Sequence, residues 1–201
     1  MLLDVDQYKY THFVVDDIDE AQSIDGLMDA YMKGSAEELA EHRDSYIGTV
    51  AVEGAAGRSN SAAVTTADEA KALVDEAFVW LWDNSVKINA DVSIVMTPWF
   101  YSLFKHKLTE LYTNNEKLIK KGVVGMYNNA MVKLSNNLPK SGEDDCIIIR
   151  TKDAVAFAHG IENIEPYRPE KQFADAVKVL DTYGAKVVRP NEIYVIRAHK
   201  A

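Results

Sequence analysis

Apolar residues recur at the helical period over a long stretch early in the chain. Between Asp17 and Gly48 they fall close to one helical face, at Ile18, Ala21, Ile24, Met28, Tyr31, Leu39 and Tyr46. Asp17 can accept hydrogen bonds from the first turn, and Glu20 can reach back to it. The pattern predicts one amphipathic helix, roughly 45 Å long, against which other elements pack.

Gly34 offers an alternative to this single helix. Gly34 followed by Ser35-Ala-Glu-Glu38 is also typical of a helix end and a new capping box. The unbroken helix is favoured because the apolar stripe keeps its phase across Gly34, and a glycine inside a helix costs only about 1 kcal/mol. Two shorter helices meeting at Gly34 remain the alternative.

Alternation predicts a strand before this helix, and composition predicts a loop after it. From Tyr8 to Val15 the residues alternate between two faces, both expected to be partly covered. Residues 53–61 are small and polar, so we expect a mobile surface loop at a lobe boundary.

Two further helices have clear start signals. Thr66 and Glu69 form a capping box before an apolar stripe that reaches about Ser85. The β-branched run 92–96 predicts a strand, and Thr97-Pro98 then starts a third helix with a stripe from Trp99 to Tyr112. Its aromatic residues Trp99, Phe100 and Phe104 are interpreted as core.

The remainder of the chain predicts mostly strands. They are expected at 130–134, 146–149, 161–167, 187–188 and 193–196, with a polar loop at 135–145 and a short helical turn at 153–158. The run 146–149 is apolar on both faces, as in the middle of a covered sheet. Phe173 to Tyr183 fits either a helix or a strand. Helices and strands mix without regular βαβ alternation, which predicts an α+β fold.

Composition and charge narrow the function classes. The chain has 201 residues, 47% of them apolar, with a formal net charge of −9, which suits one domain or two packed lobes. The charge disfavours non-specific attraction to nucleic acid or anionic membranes. One cysteine, Cys146, allows no intrachain disulfide and favours a reducing compartment. Neither a signal peptide nor a membrane span is expected.

Residues that could carry chemistry form no recognisable motif. Cys146 could be a nucleophile with His159 as its base, but Cys146 opens an apolar run, which favours a buried core cysteine. The histidines His12, His42, His106, His159 and His199 share no i, i+3 or i, i+4 spacing. We therefore predict no metal site, no cofactor and no catalytic residues.

Acidic, glycine-rich and basic stretches are given structural interpretations. The acidic run 16–20 lacks the calcium-loop spacing, and helix capping accounts for it. Glu143-Asp144-Asp145 could hold a divalent ion, but a solvated acidic loop is favoured. The glycine clusters 54–57 and 122–125 lack a phosphate-loop Lys-Ser/Thr pair and are interpreted as turns. A solvated helix face is favoured over nucleic-acid contact for Lys105, Lys107, Lys117, Lys120 and Lys121 with Tyr101 and Tyr112.

Seven short phrases follow one another in order along the chain: Asp16-Asp-Ile-Asp-x-x-Gln22-Ser23, Pro98 after an apolar strand, Gly122-Val-Val-Gly125, Ser135-Asn-Asn-Leu-Pro139, Asp153-Ala-Val-Ala-Phe157, Arg168-Pro-Glu-Lys171 and Tyr183-Gly-Ala-Lys-Val-Val-Arg-Pro190. In this order they resemble the major capsid (coat) proteins of tailed bacteriophages and prophages. No phrase is specific alone, but their order covers nearly the whole chain. The structural signature residues are Asp17, Gln22, Pro98, Gly122, Gly125, Pro139, Gly184 and Pro190.

The resemblance implies a two-lobed fold and a structural function. A peripheral lobe (about 1–65 and 151–185) would hold the spine helix 17–48, and an axial lobe (about 66–150 and 186–201) would hold a mixed sheet, with Phe173 to Tyr183 as a strand. The expected function is a non-enzymatic subunit of an icosahedral shell around DNA, located in the virion and made in the bacterial cytoplasm. Expected partners are copies of itself in hexamers and pentamers, scaffolding, portal and decoration proteins, and DNA non-specifically, but no membrane.

Two other functions stay open beside this one. Family members normally carry an N-terminal arm and an extended loop that reaches a neighbouring subunit. We expect this chain to lack both, so a monomer or a small oligomer is expected of it. A nanocompartment shell protein shares the fold. A cytoplasmic enzyme or ligand-binding protein would instead need a deep pocket with perturbed titratable groups, and the candidates to form it are His159, Cys146 and the 143–145 loop.

Overall fold

The computed structural model describes residues 2–17, 27–105, 123–171 and 173–200. The helices are α1 (Leu27–Glu53), α2 (Ala67–Asp83) and α3 (Pro98–Phe104). The strands are β1 (Gln7–Asp16), β2 (Gly57–Arg58), β3 (Ala62–Val64), β4 (Val92–Met96), β5 (Val123–Tyr127), β6 (Ala130–Leu134), β7 (Lys140–Ser141), β8 (Asp144–Thr151), β9 (Val155–Tyr167), β10 (Ala174–Val187) and β11 (Ile193–Lys200). This mixture confirms the α+β class.

Helix α1 passes Gly34 without a break, which confirms one helix over the alternative of two. It ends at Glu53, beyond the predicted end at Gly48, because Ala51 continues the apolar face and is fully buried. Within the predicted stripe Leu39 is buried, whereas Tyr31 is 49% exposed and stacks on Phe13. The predicted N-terminal part of the helix, residues 18–26, lies outside the described residues.

The chain folds as two compact units. Unit 1 comprises Met1–Tyr46 and Phe157–Ala185, and unit 2 comprises Ile47–Ala156 and Lys186–Ala201. Residues of α1 contribute to both units, since the division falls after Tyr46.

Unit 1 holds a three-stranded sheet in the order β1-β10-β9. Strand β10 pairs with β1 antiparallel and without a bulge, from Gln7 opposite Tyr183 to Asp16 opposite Ala174. The segment that periodicity left ambiguous is therefore a strand, as the resemblance implied, except that Phe173 precedes it. On one face of the sheet, Leu39 of α1 packs against Val177 and Val179.

Unit 2 is built on an eight-stranded sheet. Its main order is β2-β11-β8-β4-β6-β5, with β3 also pairing β11 and β7 pairing β8. Strand β8 runs antiparallel to both β11 and β4. Ile147 and Ile149 enter a cluster that includes side chains of α2 and α3, while Cys146 and Ile148 enter a second cluster with Ala51 of α1. The prediction of a strand covered on both faces is confirmed.

The start of α2 also follows the prediction. Thr66 accepts a hydrogen bond from the Glu69 backbone N–H, and the Glu69 carboxylate accepts one from the Thr66 N–H at 3.0 Å. Phe100 and Phe104 of α3 are fully buried, which confirms them as core. The predicted continuation of that helix to Tyr112 lies outside the described residues.

The prediction of a mobile loop at 53–61 is wrong. Gly57 and Arg58 pair in parallel with Tyr194 and Val195 of β11, and the Ser59 N–H donates to the Val195 carbonyl at 2.9 Å. A Cβ at Gly57 would lie 2.5 Å from the Tyr194 ring, so the missing side chain permits this approach. The polar backbone finds partners on a strand distant in sequence, which local composition does not reveal.

Three smaller boundaries also differ from the prediction. The turn placed at 153–158 is a single 3-10 turn at Lys152–Ala154, after which β9 begins. Gly125 lies inside β5, next to an irregular register, and not in a turn. The loop placed at 135–145 contains β7 and the first residues of β8.

Candidate assembly surfaces and polar clusters

Two signature residues of unit 1 join segments that are far apart in sequence. The Asp17 carboxylate accepts a hydrogen bond from the Arg168 guanidinium, and its backbone N–H donates to the Phe173 carbonyl at 3.1 Å. Gly184 lies against the backbone of Asp4, where a Cβ would approach the carbonyl oxygen to 2.1 Å. Both residues therefore serve the packing of unit 1. Gln22 lies outside the described residues.

Three signature prolines of unit 2 lie at element junctions. Pro98 is the first residue of α3. Pro139 packs its ring against Gly48 of α1, where a Cβ would lie 3.2 Å from the proline Cδ. Pro190 opens the 3-10 turn Pro190–Glu192, and its carbonyl accepts a bond from the Ala56 N–H at 3.1 Å. Gly125 lies in β5, and Gly122 lies outside the described residues.

Asp144 is a buried carboxylate with two side-chain partners, not part of a solvated loop. Its Oδ1 accepts a hydrogen bond from the Ser61 hydroxyl at 2.8 Å and lies 2.7 Å from His199 Nδ1. The Ser61 bond, followed by the His199 bond, holds the pKa of Asp144 below its usual range. These two contacts link Ser61, which precedes β3, to Asp144 of β8 and His199 of β11. The prediction of a solvated acidic loop is wrong for Asp144, because its hydrogen-bond partners are 83 and 55 residues away along the chain.

Asp145 is also buried and partnered. Its Oδ2 accepts a hydrogen bond from the Trp99 indole N–H, and its Oδ1 lies 3.3 Å from the Lys140 ammonium. Of the triplet, only Glu143 is exposed. The indole bond shows that Trp99 is a partly buried anchor of α3 to β8, in line with its predicted core role.

His159 and Cys146 occupy unrelated environments. In unit 1, His159 Nε2 lies 2.6 Å from Oδ1 of buried Asp181, whose Oδ2 lies 3.3 Å from Arg43 Nε of α1. In unit 2, Cys146 is fully buried, and burial raises the pKa of its thiol. A raised pKa disfavours the reactive thiolate. The structure thus gives Cys146 the predicted core role and places the His159 ring against the Asp181 carboxylate, away from Cys146.

One face of the unit 1 sheet is open and aromatic, contrary to the expectation that both faces of β1 are partly covered. Tyr8 and Tyr10 are 70% and 77% exposed. Beside them, His12 Nε2 lies 2.6 Å from the Tyr167 hydroxyl, and the Lys178 ammonium lies 4.3 Å from the Tyr167 ring centroid. We call these five residues the aromatic face. Exposed tyrosines with adjacent cations are typical of protein interaction surfaces.

Two open grooves lie among the described residues, one in each unit. In unit 1 a groove of 530 Å³ is lined by apolar side chains such as Met28, Met32 and Ile164. In unit 2 a polar cleft of 380 Å³ carries both signs of charge, including Lys87, Asp91 and Arg189. The described residues contain no group of three or more His, Cys, Asp or Glu placed to hold a metal ion.

The basic and aromatic stretch falls mostly outside the described residues. Of its members only Tyr101 and Lys105 are described, at the end of α3. In the parts of the chain that are described, no helix is both long and apolar enough to span a bilayer.

Solved structures of other proteins are similar to this chain over nearly its whole length. A solved structure of Mycobacterium phage Che8 is 28% identical, with a TM-score of 0.78, covering 96% of this chain and 71% of that chain. The capsid structure of cyanophage P-SCSP1u is 17% identical, with a TM-score of 0.75, and the match covers 99% of this chain and 74% of that chain. The holo-SrpI encapsulin complex from Synechococcus elongatus is 11% identical, with a TM-score of 0.64, and the match covers 98% of this chain and 74% of that chain.

Neither a protein-family model nor a curated sequence matches the chain significantly. The assignment therefore rests on the structural matches, which extend from unit 1 through unit 2 and include further phage capsids. The chain thus has the fold of the phage capsid proteins that it matches.

Proposed function

We propose that the chain is a structural subunit of a viral icosahedral shell that assembles from copies of itself around DNA. The observation that carries this proposal is the match to the Che8 structure over 96% of the chain at 28% identity. The aromatic face supports it, because a surface of exposed tyrosines is suited to burial by a neighbouring copy. The role is architectural, and catalysis is not part of it.

The finer assignments are part of the same proposal. We assign unit 1 to the peripheral lobe and unit 2 to the axial lobe, with α1 as the spine helix. Copies would associate as hexamers and pentamers, with scaffolding, portal and decoration proteins as partners and only non-specific contact with DNA. Synthesis in the bacterial cytoplasm and residence in the virion follow from that role.

Purified protein tests this function directly. Sedimentation velocity and negative-stain microscopy across protein concentration should show discrete ring-shaped or closed assemblies made of many copies. A protein that stays monomeric at every concentration and salt level would contradict the proposal. Small oligomers of hexameric or pentameric mass would agree with it.

A nanocompartment shell is the second candidate, favoured by the match to the encapsulin complex. The two differ in what the shell encloses. Particles isolated from a bacterial host that protect DNA from nuclease would support the viral shell. Particles that instead enclose a stoichiometric protein cargo and no DNA would support the nanocompartment.

A further inference from the structure

Arg150 occupies a central position in the eight-stranded sheet of unit 2. It follows the apolar run 146–149 in β8, and the register places it between Ser93 of β4 and Ile193 of β11. Because side chains alternate along a strand, Arg150 shares its sheet face with Ile148, which packs in the second core cluster. Arg150 is therefore a charged residue that lies at the edge of this apolar cluster.

The guanidinium of Arg150 has no adequate partner among the described residues. The residue is half-buried, and its one hydrogen bond, to the carbonyl oxygen of the adjacent Thr151, is 3.5 Å long. Burial lowers the pKa of Arg150. A guanidinium carries five N–H donors, and removing its charge from water without a counter-charge costs free energy.

The other five arginines show what Arg150 lacks. Three have carboxylate partners and two donate to backbone carbonyls: Arg43 with Asp181, Arg168 with Asp17, Arg189 with Glu192, Arg58 with the Val52 and Glu53 carbonyls, and Arg197 with the Ser59 carbonyl. These bonds lie within the chain. The hydrogen bond of Arg150, at 3.5 Å, is longer than the 3.3 Å bond of Arg197, and Arg150 is the one arginine whose bond reaches only an adjacent residue.

We propose that Arg150 binds a carboxylate of a second copy of this chain when copies associate. This inference rests on the proposed shell function. Each copy carries 31 acidic and 22 basic residues, so a neighbour presents surplus carboxylates. A planar guanidinium matches a carboxylate with two parallel hydrogen bonds. Nucleic-acid phosphate is disfavoured, because the cross-strand neighbours of Arg150 in the described sheet, Ser93 and Ile193, carry no positive charge.

The test compares R150M and R150E with the wild-type chain. R150M keeps an unbranched stem that ends near the position of the arginine Nε, and it removes the guanidinium group with its charge. The dissociated R150M chain should unfold at the same or a higher urea concentration, because a half-buried unpaired charge is gone. Its association, measured by sedimentation velocity, should weaken at least about tenfold. R150E should associate more weakly than R150M, since two carboxylates would meet.

Arg189 offers the matched control. It is exposed and already paired with Glu192 of its own chain at 3.0 Å, so R189M should associate within about threefold of the wild type. Binding of each variant to a 30-base-pair DNA duplex is measured in parallel. R150M should bind the duplex as the wild type does.

The possible failures are distinguishable. Wild-type association that R150M leaves unchanged would overturn this inference while leaving the shell function intact, whereas a wild-type chain that never associates would overturn both. R150M that loses duplex binding but still associates would assign the anion to nucleic acid and overturn the proposal. R150M that unfolds more easily as well as associating poorly would assign Arg150 to folding and also overturn it.

Discussion

At the residue scale, two glycines with the same chemistry have opposite surroundings. At Gly184 a Cβ would meet the backbone of Asp4 at 2.1 Å and the Cα of Val5 at 3.0 Å. At Gly34, inside α1, a Cβ would meet nothing within 4 Å. Gly184 thus permits two backbone segments to touch, whereas Gly34 only adds flexibility to the unfolded chain.

Substitution of these glycines by alanine should therefore act in opposite directions. Gly184→Ala should lower the free energy of unfolding by about 2 kcal/mol or more, because backbone atoms must move apart. Gly34→Ala should raise it by about 0.5–1 kcal/mol, since alanine favours the helix. Urea unfolding followed by circular dichroism measures both. Equal shifts in the two variants would contradict the packing at Gly184.

Asp144 gives a residue-scale prediction about pH. Its pKa is lower in the folded chain, so near pH 4 the folded chain binds fewer protons than the unfolded chain. The stabilisation by the Asp144 carboxylate is complete above its ordinary pKa of about 3.9 and is lost as the pH falls through the lower folded-state value.

Asp144→Asn should consequently destabilise the protein near neutral pH, and the difference from wild type should shrink on acidification. Urea unfolding between about pH 6 and pH 3 measures this trend. Glu143→Gln, the exposed neighbour, is the control and should leave stability nearly unchanged. A difference between Asp144→Asn and wild type that grows as the pH falls would refute the assigned role of the Ser61 and His199 bonds.

At the scale of elements, the C-terminus of α1 depends on a residue outside the helix. The last turn of α1 contains no basic residue. Arg58 of β2 supplies one, donating from its guanidinium to the carbonyls of Val52 and Glu53 at 2.8 and 2.7 Å. These carbonyls have no partner within the helix, and a cation there also complements the helix dipole. Strand β2 and helix α1 thus stabilise each other.

Replacing Arg58 should loosen this end of the helix. We expect Arg58→Gln to lower the free energy of unfolding by about 1 kcal/mol, and Arg58→Lys to lower it less because the charge remains. Hydrogen exchange at the amides of residues 50–53 should accelerate in Arg58→Gln, with exchange in α2 unaffected. Unchanged protection of that last turn would show that Arg58 does not cap it.

At the scale of the whole molecule, net charge governs how copies meet. Each copy carries a formal charge of −9, so associating copies repel one another over distances of about a Debye length. Partly buried pairs, such as the one proposed for Arg150, are screened much less. Salt should therefore weaken the repulsion more than it weakens the specific contacts.

Association should strengthen as the salt concentration rises from about 20 to 300 mM. Light scattering at fixed protein concentration measures this dependence. Two different monovalent salts at matched ionic strength are the control and should act alike, because screening depends on ionic strength and not on the identity of the salt. Association that weakens steadily with salt would indicate that exposed ion pairs dominate the contacts between copies.

The sequence by itself determined the features that depend on neighbours along the chain. The capping box of Thr66 and Glu69, the start of α3 at Pro98 and the passage of α1 through Gly34 follow from local signals and the helical period. The ordered phrases of the second half further implied the capsid fold. The apolar run 146–149 also predicted a strand that is covered on both faces of its sheet, since a strand with apolar residues on both faces is stable only when both faces are buried.

Only the tertiary structure decided the features whose partners are distant in sequence. It paired Gly57 and Arg58 with β11, gave the carboxylate of Asp144 its bonds to Ser61 and His199, and left Arg150 without a carboxylate among the described residues. Local composition predicts solvated loops at 53–61 and 143–145, because polar residues without known hydrogen-bond partners are expected to face water. Hydrogen-bond partners brought from elsewhere in the chain reverse that preference, since a satisfied polar group can be buried at little cost.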